Sequence, residues 1–78
     1  MHPDDVIAAL RERPFRPFRI HVSDGATYDV RHPEMVIVGR RTLIIGLPGV
    51  PDRPQDRIAT VALIHVARLE HLELEARA

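Results

Sequence analysis

The chain has 78 residues, which is enough for one small domain, and it contains neither cysteine nor lysine. The composition therefore excludes a disulfide framework, a zinc–thiolate site and Schiff-base chemistry. Eleven arginines balance eleven carboxylates, and a chain without net charge is a poor default binder of nucleic acid. A single core of this size leaves about 3 to 5 kcal/mol of net stability, so we expect the protein to associate with itself.

The first segment predicts a short helix over residues 3–12. Pro3 suits the first turn, and Asp4 and Asp5 complement the positive end of the helix. One apolar stripe runs along it: Val6, Ile7 and Leu10. Pro14 ends the helix because a proline disfavours helical geometry in the residue before it. This acidic start is unlike a signal peptide, and no apolar run approaches the roughly 20 residues of a membrane span, so we expect a cytoplasmic protein without a membrane partner.

In the stretch RPFRPFRI, residues 13–20, arginine, proline and phenylalanine each recur at every third position. A polyproline II segment has three residues per turn and places Phe15 and Phe18 on one side, so we interpret residues 13–17 as a stiff connector between the helix and the sheet. The same geometry aligns three arginines: Arg13, Arg16 and Arg19. One alternative is that this row follows a phosphate backbone. Another is that the PxxP pattern is a ligand for SH3-type partners.

From Phe18 the apolar period changes to two, which predicts a half-buried strand over residues 18–23. Its inward side chains are Phe18, Ile20 and Val22. Asp24-Gly25 follows, a dipeptide typical of two-residue hairpin turns because glycine accepts a positive φ.

The partner strand is predicted over residues 26–38, with Tyr28 and Val30 inward. His32-Pro33 interrupts its ladder because proline cannot donate a hydrogen bond, so we expect a bend or a bulge there.

Residues 35–38 and 42–47 are predicted strands that are apolar on both faces, joined by a tight turn at Gly39-Arg40-Arg41. Two such strands in so small a domain indicate that one face meets the core and the other meets a neighbour. The predicted oligomer interface comprises Val36, Val38, Leu43 and Ile45.

Residues 48–57 contain three prolines and four charges and are predicted to form an exposed loop. Two short strands and the joint between them follow: residues 57–62, 63–65 and 66–72. The competing prediction is a helix over residues 60–76, and the tail, residues 73–78, is expected to fray. The whole pattern predicts a single mainly β (α+β) domain, with the N-terminal helix before a five-stranded, strongly bent antiparallel sheet or small barrel over residues 18–72.

Five histidines raise the question of a metal site: His2, His21, His32, His65 and His71. No two of them have the short spacing of metal ligands, although His21 and His32 are expected to lie near each other across the hairpin, with Asp29 close by. We interpret His21 and His32 as solvent-facing strand residues, and His65 as a hydrogen-bonded histidine in a turn. The only serine, Ser23, lies in a turn and no paired carboxylate signature is present, so we expect no enzyme, no cofactor and no metal.

The order of these elements over residues 3–72 resembles that of Sm-like and SH3-like barrels. Ser23-Asp24-Gly25 corresponds to the first hairpin, Gly39-Arg40-Arg41 to the loop after the bent strand, and Leu63-Ile64-His65 to the joint before the last strand. The resemblance implies rings formed by edge-strand pairing and RNA bound at the two loops that line the pore. This chain lacks the Asp and Asn of the first loop and the Arg-Gly of the second. The residues that such a site implies are Arg40, Arg41 and His65, with Arg16 and Arg19 as further contacts.

The chain is also similar to a group of short uncharacterised bacterial proteins with the same helix, PF-x-PF and DG-hairpin arrangement. The segments that carry this similarity are RPFRPFRIHVSDG and YDVRHPEM. That similarity supports the element boundaries and implies no activity.

Three functions are consistent with these observations. The first is a non-catalytic β module that self-associates and acts as an interaction or scaffold protein. The alternative is an Sm-like ring that binds RNA, and a third possibility is a component that works with an unidentified protein partner.

Overall fold

The computed structural model describes residues 1–47 and 57–72 of the chain. It contains one helix and six strands: α1 (Pro3–Arg11), β1 (Phe18–Val22), β2 (Thr27–Val30), β3 (Val36–Val38), β4 (Thr42–Leu47), β5 (Arg57–Ala62) and β6 (Val66–His71). The strands form two antiparallel sheets of three strands, in the orders β2-β1-β6 and β3-β4-β5. The prediction of a mainly β fold with an N-terminal helix is confirmed. Within the described ranges no ladder joins the two sheets into a closed barrel.

Helix α1 begins and ends for local reasons. The side chain of His2 accepts a hydrogen bond from the amide of Asp4 at 3.0 Å and caps the first turn. The helix ends at Arg11, one residue before the predicted end. Its buried residue is Val6, which joins the core. No helix in the described part of the chain has the length and hydropathy needed to cross a membrane.

The β1–β2 hairpin has a three-residue loop, Ser23 to Gly25, rather than the predicted two-residue turn. The amide of Gly25 donates to the carbonyl of Val22 at 2.9 Å, and the amide of Val22 donates to the carbonyl of Ala26 at 2.9 Å. Gly25 has φ +95°, which completes this longer type of hairpin loop. The difference arises because Asp-Gly serves both loop lengths, and the length is determined by the strand register Ile20↔Tyr28 and His21↔Thr27.

The predicted second strand, residues 26–38, is two strands, β2 and β3, that belong to different sheets. A single 3₁₀ turn, Pro33–Met35, separates them, and the amide of Met35 donates to the carbonyl of His32 at 3.1 Å. The prediction located the interruption at proline but treated it as a bend within one strand. Residues 1–47 and 57–72 therefore form six strands instead of the predicted five.

The end of the described chain consists of two strands, so the competing helix over residues 60–76 is wrong over its described part. Strand β5 pairs with β4, and β6 pairs with β1. The predicted joint is a 3₁₀ turn, Leu63–His65. The ladders that β5 forms with β4 and β6 forms with β1 override the helical spacing of the apolar residues. The predicted loop up to residue 56 and the predicted fraying of residues 73–78 lie outside the described residues.

One core collects side chains from the helix and from both sheets. Its fully buried members are Val6, Phe18, Ile20, Val30, Leu43 and Ile45. The ring of Phe15 in the connector packs on that of Phe18 in β1, with centroids 6.0 Å apart, so the two rings lie on the same side as predicted. The amide of Leu72 donates to the carbonyl of Pro17 at 2.9 Å, which ties the connector to the end of β6.

The hairpin loop makes a stability prediction at Gly25. Gly25→Ala should lower the free energy of unfolding by about 1 kcal/mol, because an L side chain is disfavoured at positive φ. A Cβ there would meet no atom within 4 Å, so the cost comes from the backbone alone. Urea denaturation measures the change, and Gly25→Asn should recover part of it because asparagine tolerates this conformation. An alanine variant as stable as the parent protein would contradict the loop described here.

Candidate interaction surface

The face of the β2-β1-β6 sheet that is turned away from Phe18 and Ile20 is charged. One cross-strand row carries Asp29, Arg19 and Glu70. Arg19 Nε donates to Asp29 Oδ1 at 2.6 Å and Arg19 Nη2 donates to Asp29 Oδ2 at 3.1 Å, so the pair is bidentate. The hydrogen bond from Arg19 lowers the pKa of Asp29, and the same bond raises the pKa of Arg19.

The next row of that face adds a histidine to the network. His21 Nε2 donates to Glu70 Oε1 at 2.8 Å, between β1 and β6. This hydrogen bond lowers the pKa of Glu70, and the nearby charge of Arg68 acts in the same direction. Arg19, Asp29, His21 and Glu70 of this face therefore find their partners within the chain.

Two of the predicted nucleic-acid contacts are engaged in such pairs. Arg19 is bound to Asp29, and Arg16 Nη1 lies 3.3 Å from Glu12 Oε2. Arg13 donates to the carbonyls of Leu10 and Glu12 instead of facing a partner. The three arginines of the predicted row thus have partners within the chain, of which only Asp29 lies on another strand, and the spacing of the arginines alone did not reveal these partners.

The β3-β4-β5 sheet has the opposite character on the face turned away from the core. Ile37 and Ile58 are each 65% exposed, and Ile44 is half-buried between them. The register pairs Ile37 with Ile44 on the neighbouring strand, and Ile44 with Thr60 on the next. We call this surface the isoleucine face, and its members are Ile37, Thr42, Ile44, Ile58 and Thr60.

The four residues predicted to form the oligomer interface lie on the inward side of this same sheet. Val36, Leu43 and Ile45 are buried in the core, and Val38 packs against it. Because these side chains pack in the chain's own core, the more exposed surface of these strands is formed by the alternate residues. The pattern indicated an apolar face on each side of the strands, but a period of two does not say which face turns inward.

Two loops that were singled out in the sequence meet at one corner. The amide of Leu63 donates to the carbonyl of Arg41 at 2.8 Å and joins the β3–β4 turn to the 3₁₀ turn before β6. A pocket of about 480 Å³ lies there. We call it the arginine corner, and its lining residues are Met1, Arg40, Arg41, Thr42, Ala62, Leu63 and Ile64.

His65 turns away from that corner. Its Nδ1 lies 3.4 Å from the hydroxyl of Ser23, and its carbonyl accepts from the amide of Ser23 at 2.8 Å. The contact between the two side chains is long and exposed, and it fits the interpretation of His65 as a hydrogen-bonded turn residue. The predicted RNA-site residues are therefore divided among three places: Arg40 and Arg41 in the corner, His65 at the hairpin tip, and Arg16 and Arg19 in ion pairs.

The expected proximity of His21 and His32 is not seen, because the residue paired with His21 across the hairpin is Thr27. Over residues 1–47 and 57–72, no group of three or more histidine, aspartate or glutamate side chains is arranged to hold a metal ion.

Comparison of the chain with protein-family models, curated proteins and solved structures found no match. The function is therefore inferred from the chemistry of the two sheet faces and of the arginine corner.

The Arg19–Asp29 pair makes the stability of the protein depend on pH. Because the pKa of Asp29 is lower in the folded than in the unfolded state, the pair stabilises the fold fully above the ordinary aspartate pKa of about 3.9 and loses its effect as the pH falls through the folded value. The difference in unfolding free energy between the parent protein and Asp29→Asn should thus shrink towards zero in acid.

Urea denaturation at neutral and acidic pH measures this difference. Glu34→Gln, at an exposed position in a 3₁₀ turn, is the matched control and should differ little from the parent protein. A difference for Asp29→Asn that stays constant down to pH values below the folded pKa would contradict the ion pair.

Proposed function

We propose that the protein is a non-catalytic small β module that self-associates through the isoleucine face and serves as an interaction or scaffold unit. The observation that carries the proposal is the contrast between the two sheets. On the outer face of β2-β1-β6, charged side chains pair with each other. On the outer face of β3-β4-β5, the isoleucines Ile37 and Ile58 remain largely exposed to solvent in a single chain.

The chemistry of the isoleucine face favours a second copy of the chain as its partner. A two-fold interface brings the same surface together from both subunits, so any charge at its centre would meet a like charge. The isoleucine face contains isoleucine and threonine side chains only, and it meets itself without that repulsion. Burial of the isoleucines would also stabilise a domain whose own core is small.

The size of the face indicates a reversible association. The six residues of β4 span about 20 Å and three strands span about 14 Å, so the face projects about 280 Å². A stable interface buries about 800 Å² on each partner. Neighbouring exposed side chains such as Ile64 would have to contribute the rest, and we expect dissociation on dilution.

The finer description of the fold belongs to the same proposal. A helix, a split second strand, two three-stranded sheets over one core and a 3₁₀ turn before the last strand support a small barrel of the Sm-like or SH3-like type. An RNA-binding ring is the less favoured function, because Arg16 and Arg19 are paired with carboxylates. The expectation of a cytoplasmic protein without catalytic residues is part of the proposal.

Introduction of a negative charge into the isoleucine face tests self-association. Ile37→Glu and Ile58→Glu should each shift the protein towards the monomer, because like carboxylates would face each other across the two-fold axis. Light scattering coupled to gel filtration, over concentrations up to the millimolar range, measures the shift.

Thr27→Glu is the matched control, since it adds the same charge to an exposed strand position on the other sheet. It should leave the association unchanged. A parent protein that stays monomeric over the whole range, or a control that dissociates it equally well, would refute the proposed interface.

A further inference from the structure

The arginine corner borders the isoleucine face at Thr42, and its chemistry is different. It joins the turn between β3 and β4 to the turn between β5 and β6, and the backbone hydrogen bond from Leu63 to Arg41 holds the two together. The amine of Met1 donates to the carbonyl of Leu63 at 2.8 Å on the same side. Three segments of the chain therefore meet at the corner: the N-terminus, the β3–β4 turn and the 3₁₀ turn before β6.

Its two arginines differ from Arg16 and Arg19 in their partners. No carboxylate in the described part of the chain lies within 4 Å of the guanidinium of Arg40 or Arg41, whereas Arg16 and Arg19 both have such partners. A guanidinium presents a planar fork of donors that matches a carboxylate or a phosphate with two parallel hydrogen bonds. The corner thus offers recognition of an anion that residues 1–47 and 57–72 do not supply there.

The remaining lining is mostly apolar. Ile64 is 83% exposed, and Ala62, Leu63 and Met1 complete the wall beside the arginines. The volume of about 480 Å³ lies within the range of small-molecule sites. A ligand that fits both parts of the pocket has an anionic end and an apolar body.

The same lining argues against a nucleic-acid strand. Proteins that bind single strands stack the bases on aromatic side chains. The chain has only three phenylalanine or tyrosine residues and no tryptophan. Phe18 is fully buried, Phe15 packs on it, and Tyr28 lines other pockets, so none of them reaches the corner.

We propose that the arginine corner binds an apolar carboxylate. Arg40 and Arg41 hold the carboxylate, and the apolar body lies against Ile64 and Leu63. Such a group is found in a free fatty acid and at the end of a polypeptide whose last side chain is apolar. The two sources share the chemistry, and the probes below distinguish them.

Titration of the isotope-labelled protein, followed by two-dimensional NMR, tests the proposal with matched probes. The free probe is octanoate, with octanol as its uncharged counterpart. The polypeptide probe is a short acetylated peptide ending in leucine, as the acid and as the amide. We expect one of the acids to bind with shifts confined to the corner, and its uncharged counterpart to bind about ten-fold more weakly or not at all. The acid that binds more tightly identifies the source.

Variants then assign the binding to the two arginines. Arg40→Gln and Arg41→Gln should each weaken binding of the acid about ten-fold, and both positions are exposed, so the fold should persist. Arg68→Gln, an exposed arginine on the other sheet, is the matched control and should bind like the parent protein. Equal binding of acid and uncharged probe, no binding of either acid, or variants that bind as well as the control would overturn the proposal. So would a single-stranded oligouridine that binds through these arginines with a steep salt dependence while the acids do not.

Discussion

A β-strand can turn only one of its two faces into a core, and this constraint determines where the protein can meet other molecules. Strand β1 alternates strictly, with Phe18 and Ile20 inside and Arg19 and His21 outside. Strand β4 does not alternate in polarity. Leu43 and Ile45 fill the core, and the side chain on the opposite face, Ile44, is also apolar. A single small core cannot bury both sets, so one apolar face is left at the surface.

The outer faces of the two sheets accordingly differ in chemistry. On the first, the Arg19–Asp29 ion pair and the His21–Glu70 hydrogen bond engage these side chains inside the chain and leave less for a partner to bind. The second sheet carries the uncharged isoleucine face, and its turn contributes two arginines to the corner. The proposed self-association would centre on Ile37, Ile44 and Ile58, and the proposed carboxylate binding on Arg40 and Arg41, so the loss of one need not remove the other. Thr42 and Ile64 lie at the border of the two surfaces.

Most of the fold could be predicted from the sequence, because local chemistry determines it. Pro3 and Pro14 bracket the helix, Asp24-Gly25 marks the hairpin, and the change of period at Phe18 marks the first strand. What escaped prediction depends on distant residues. The length of the hairpin loop follows from the register with β2, and the split at Pro33 follows from the separation of the two sheets. The pairing of Arg19 with Asp29 is visible only once that register is known, and the side of β4 that faces the core depends on what packs against it.

We propose that two copies of the protein meet at the isoleucine face. Methyl NMR of isoleucine-labelled protein, recorded at low and high concentration, tests this contact. We expect concentration-dependent shifts at Ile37, Ile44 and Ile58 and constant signals for the buried Ile20 and Ile45. Signals that do not change with concentration at any of the three exposed positions, or changes confined to other isoleucines, would contradict it.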